Sequence, residues 1–93
     1  SVGSFKKARE HAEEAMRRFP EHIGNRLAYA EVLSRTGDRA KAREIAEKAL
    51  AAISPAEHPL DAPEWIAQAK RILNDVRLRL AMALASKIAS RAY

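Results

Sequence analysis

The sequence predicts an all-α protein built as a helical repeat, and three observations predict it. Residues 3–20 align with residues 37–54 at a spacing of 34, with eight identities in eighteen, among them Gly3/Gly37, Lys7/Lys41, Ala8/Ala42, Arg9/Arg43 and Glu10/Glu44. Apolar residues recur at helical spacing through each segment, with no strand-like alternation to compete. Glycine and proline fall between the periodic segments, where helices must stop.

The first helix is expected at about 4–19. Ala8, Ala12, Ala15, Met16 and Phe19 stand at i, i+4, i+7, i+8 and i+11, one stripe of a helix, and Pro20 closes it. The second, about 22–36, carries Ile23, Leu27 and Ala30 with Tyr29, Val32 and Leu33 beside them. It ends at Gly37, which takes a left-handed conformation without steric cost. Asp38 is then placed to cap the third helix, about 38–53, whose stripe of Ala42, Ala46, Ala49, Leu50 and Ile53 repeats the first. Pro55 ends this helix by restricting Ser54. Lys, Arg and Glu fill the outer faces, where Glu10–Glu14 repel and Glu44–Lys48 attract by a few tenths of a kcal/mol, roughly, at most.

A proline-rich loop follows at 55–61. Asp61 stands three residues before Glu64 in a capping-box-like pair, and Pro63 sits in the first turn, where its missing N–H costs nothing. From Trp65, the residues Ala69, Ile72, Leu73, Val76, Leu80, Leu84 and Ile88 keep helical spacing. They predict one long helix, about 62–90 and ~40 Å; a break at Asn74-Asp75 would instead restore a helix pair. Its second half, LRLAMALASKIA, is apolar around much of its circumference and is expected to be covered on more than one side.

Ninety-three residues fit one small domain. Hydrophobic residues are 47% of the chain, but much of this is alanine, so the core is expected to be a thin layer between close-packed helices. There is no cysteine, which excludes disulfides and thiol chemistry. No apolar run approaches the ~20 residues of a membrane span, and no signal peptide is visible. The compartment is not fixed by the sequence, with the cytoplasm favoured. The chain starts with Ser on a second helix of a pair, so a fragment of a longer protein is the expectation. Its parts would be a half repeat at 3–20, a full repeat at 22–54, the loop, and a degenerate repeat or capping helix at 62–93. The net charge of +5 permits an acidic partner, although basic residues interleaved with Glu read first as a solvated surface.

Chemistry is hard to place on this chain. His11, His22 and His58 lie in different segments without ligand spacing. Gly3, Gly24 and Gly37 are isolated, unlike a phosphate-binding loop, and no spacing assembles a nucleophile with a base. No catalytic, metal or cofactor site is expected. Lys70, Arg71, Arg77, Arg79, Lys87 and Arg91 make the last helix basic. A nucleic-acid footprint would want them on one stripe with stacking aromatics, and Arg79 points away from Lys70 and Arg77, so nucleic acid is a distant alternative. Trp65, the only tryptophan, reads as packing the start of the last helix against the 39–53 helix or the proline loop; its alternative role is an aromatic anchor for a peptide.

The 34-residue period, the Gly37-Asp38 turn and the placement of Ala42, Ala46, Ala49 and Leu50 make the chain resemble the tetratricopeptide repeat family over residues 3 to about 55. NRLAYAEVLSRTGDRAKAREIAEKAL (Asn25–Leu50) looks like one whole repeat, and GSFKKAREHAEEAMRRFP like the second helix of the one before. Ala12 and Ala46 stand where the family usually has an aromatic. The resemblance implies a superhelix whose concave face holds an extended or helical peptide, and a non-catalytic role as a protein-interaction scaffold. By matched positions that face would carry Leu27, Glu31, Ser34 and Arg35, with Gln68 or Arg71 from the last helix and Trp65 as a further contact. Relatives that clamp a C-terminal carboxylate use Lys and Asn where this chain has Leu27 and Glu31, so that chemistry is not expected. The alternative is a structural role, with homo-oligomerisation through the apolar last helix.

Overall fold

A computed structural model describes residues 2–92, so that the first and last of the 93 residues lie outside the described residues. Four helices follow one another: α1 (Val2–Arg18), α2 (Ile23–Thr36), α3 (Arg39–Ala52) and α4 (Ala62–Arg91). Among the described residues, α1 packs only on α2, while α2, α3 and α4 each pack on one another.

The core is the thin layer that an alanine-rich stripe dictates. Leu27, Ala30 and Leu33 of α2, Ala42, Ala46 and Ala49 of α3, and Ala69, Ile72 and Val76 of α4 are buried together. Alanines at the centre let helix axes approach closely, and the larger residues fill the gaps above and below. Lys41 of α3 reaches over the ring of Tyr29 at 5.6 Å, a second tie between α2 and α3. On α1 the stripe is only partly covered: Ala12 is buried and Met16 half-buried, but Ala8, Phe5 and Phe19 are exposed. Ala8 therefore does not share the packed face expected of it, because α2 is the only helix α1 meets.

Gly37 ends α2 at φ 98°, and its N–H and that of Asp38 both donate to the Leu33 carbonyl. Gly3, its counterpart in the repeat, lies within the first turn of α1 and not in a turn before it. Asp38 and Asp61 occupy the N-cap positions of α3 and α4, but neither side chain makes a capping hydrogen bond. Asp61 has helical backbone angles, which turn its carboxylate away from the amides it would cap. His22 caps α2 instead: its Nδ1 accepts the Asn25 N–H at 3.2 Å. Gly24 leaves room for this ring, since a Cβ there would lie 2.8 Å from His22 Cε1.

The last helix is continuous through Asn74-Asp75 for 30 residues, ~45 Å at 1.5 Å per residue. Neither residue competes for the backbone: Asn74 Oδ1 accepts from Arg77, and Asp75 Oδ2 accepts from Ser34 and Arg79. Only its first half is docked. From Leu80 to Ala92 every residue is exposed, with Met82 at 70% and Ile88 at 61%. The expected cover on this half is thus not supplied by the described residues, because α2 and α3 are too short to follow it. The molecule measures 54 × 29 × 18 Å.

Candidate functional site

The α2–α4 crossing leaves a cleft of about 250 Å³ between the outer turns of the two helices, lined by Glu31, Ser34 and Arg35 from α2 and Arg71, Ile72, Asp75 and Arg79 from α4. On each helix these positions are one turn apart, so helical periodicity alone brings them to one face. Ser34 anchors the cleft: it is 2% exposed, and its hydroxyl donates to Asp75 Oδ2 at 2.8 Å. Arg79 Nε donates to the same oxygen at 2.9 Å. The Ser34 hydrogen bond, followed by the Arg79 guanidinium, holds the Asp75 carboxyl below the ordinary carboxylate range against the opposing effect of burial.

Both carboxylates of the cleft have an arginine partner, with Arg35 reaching Glu31 at 3.5 Å and Arg79 reaching Asp75. Arg71 reaches Glu64 at 3.5 Å, a contact between well-exposed side chains outside the cleft. Such exposed pairs contribute little and exchange readily. The cleft therefore carries two exposed arginines, Arg35 and Arg71, beside the buried Ile72.

Four of the seven residues expected on the concave face, Glu31, Ser34, Arg35 and Arg71, meet in this cleft. Gln68 is half-buried one turn before Ile72 on the same face of α4. Leu27 is fully buried in the core and offers no surface to a partner; an apolar side chain facing α4 is packed by it. Trp65 stands apart, half-buried between His22 at 6.0 Å and His58 at 5.2 Å between ring centroids. It thus pins the proline loop to the start of α2, the packing role expected of it, and also lies against the core. Asp75 and Arg79 were absent from the expected face. Their signal was the helical register itself, since they follow Arg71 at i+4 and i+8.

Among the described residues, no group of three or more His, Asp or Glu is placed to hold a metal ion, and no helix is long and apolar enough to cross a membrane. No curated protein and no solved structure matches the chain significantly. The family model of the tetratricopeptide repeat matches residues 1–65, running through the proline loop to Trp65, some ten residues past the stretch in which the pattern is legible by eye. With the repeat period, the Gly37 turn and the packed alanine stripes, that match makes the chain a member of the tetratricopeptide repeat family.

Proposed function

We propose that the chain is a non-catalytic scaffold that holds an extended or helical peptide of a partner protein in the α2–α4 cleft. The observation that carries this reading is the juxtaposition of Arg35 and Arg71 beside Ile72, with Ser34 and Asp75 bracing the two helices that bear them. Glu31 sets the charge at one wall, and Gln68 extends the same face by a turn. An acidic side chain is the ligand chemistry that two exposed guanidinium groups favour. Trp65 flanks the face from its place against His22 and His58. The test is a display screen of short peptides against the whole chain, followed by Arg35→Glu with Arg71→Glu. Selected peptides should lose at least about tenfold in affinity while the melting temperature holds. Peptides indifferent to both substitutions would place recognition elsewhere.

A second reading, an assembly role for the far half of α4, is favoured by one specific observation. Leu78, Met82, Leu84 and Ile88 are between 48% and 70% exposed on a stretch of helix that none of the described residues covers.

A further inference from the structure

We propose that residues 77–92 of α4 are a docking surface for an acidic amphipathic helix of another protein. The proposal rests on the assembly reading just given and names the partner that reading leaves open.

The pattern along the helix shows a face built for a second neighbour. Beyond Val76 the stripe that α4 buries against α2 and α3 continues to Leu80, Ala83, Lys87 and Ser90 at i+4, i+7, i+11 and i+14, so it loses its apolar character past Ala83. The exposed Leu78, Met82, Leu84 and Ile88 do not lie on that stripe. At ~100° per residue they flank Ala81, Ala85 and Ala89 across roughly half of the circumference, with Arg79, Ser86, Lys87 and Ser90 opposite. A helix with two differently oriented apolar faces has two sets of neighbours to satisfy, and only the first set is present among the described residues.

The second face also leads somewhere. Leu73, Arg77, Leu84 and Ile88 stand at i, i+4, i+11 and i+15, a single line along α4. The first two line a groove of about 330 Å³ between α3 and α4, together with Arg43 and Glu47 of α3. A helix laid on the projecting half would therefore run into this groove and end against α3, in contact with two helices as a packed helix requires.

Charge selects the occupant. Residues 1–75 carry thirteen Lys or Arg and twelve Asp or Glu, whereas residues 76–93 carry four basic residues and no acidic one. Of these, Arg77 and Arg91 border the apolar face, so a second copy of this half would set like charges against like. An acidic helix complements Arg77 at one end of the face and Arg91 at the other. A lipid surface would also supply anions, but the middle of the face is alanine, which buries little area in acyl chains, and no aromatic stands within 77–92 to hold an interfacial position.

The experiment uses the whole chain and two designed helical peptides, each with a Leu/Ala stripe, flanked by Glu in one and by Lys in the other. Fluorescence anisotropy should show the Glu peptide binding at least about tenfold tighter than the Lys peptide. Arg77→Glu with Arg91→Glu should invert that order. Leu84→Asp should abolish binding without moving the melting curve, because Leu84 lies outside the core. Arg35→Glu with Arg71→Glu should leave Glu-peptide binding unchanged. Equal binding of both peptides, or of neither, overturns the proposal. So does flotation with phosphatidylserine vesicles that the Glu peptide does not compete away. Concentration-dependent dimerisation abolished by Leu84→Asp would overturn it in favour of a second copy while sparing the assembly reading; a strict monomer that binds neither peptide nor vesicle would sink both.

Discussion

Ser34 is the buried polar residue among the described side chains, and its burial is tolerated because Asp75 accepts its hydroxyl. Ser34→Ala removes that donor and should lower stability by about 1 kcal/mol at neutral pH, read from urea unfolding. Because Asp75 is held below the ordinary carboxylate range when folded, the unfolded chain takes up its proton first as pH falls. The associated stability is complete above the unfolded value of roughly 3.9 and is lost below it, toward the lower folded value. Asp75→Asn should therefore flatten the stability profile between about pH 4 and the acid end, and an unchanged slope would refute the linkage. Gly37 has only backbone reasons to be glycine: its φ is 98° and a Cβ would meet nothing within 4 Å. Gly37→Ala should cost on the order of 1–2 kcal/mol. That glycine was legible because left-handed turns demand it. The His22 cap was not, since it depends on the space left by Gly24 and on the ring of Trp65 arriving from 43 residues later.

The helices show why spacing reveals existence better than environment. Each of the four was readable from its apolar stripe and its Gly or Pro boundary. The fate of a stripe depends on which neighbour covers it, and this is a tertiary fact. Ala46 and Leu84 make the point, one at 0% and the other at 59% exposure, although both belong to helical apolar stripes. Ala46→Leu forces roughly three additional heavy atoms into the α2–α3–α4 contact and should destabilise by about 1–3 kcal/mol. Leu84→Ala should stay within about 0.5 kcal/mol. Paired thermal melts check both, and comparable losses would mean that α4 is docked along its full length. The cleft was half legible for the same reason. Glu31, Ser34 and Arg35 follow from the register of α2, but the burial of Leu27 required knowing how closely α4 crosses it.

For the whole molecule, a radius of gyration of 15.1 Å exceeds the ~12 Å of a compact chain of this length, and the excess is the overhang of α4. A chain ended after Arg79 retains every buried residue. It should unfold with an unchanged melting temperature and scatter X-rays as a rounder particle; a fall in melting temperature would show that the overhang contributes to the fold. The overhang also divides the thermodynamics of one helix into two regimes. Helix initiation is the costly step, and the packed turns from Ala62 to Val76 supply it, so the free turns beyond need only propagate, which alanine does at a slight gain per residue. Helicity there should fray inward from Arg91 on warming, well before cooperative unfolding, and give the far-ultraviolet signal a sloping folded baseline whose steepness measures the length of unsupported helix.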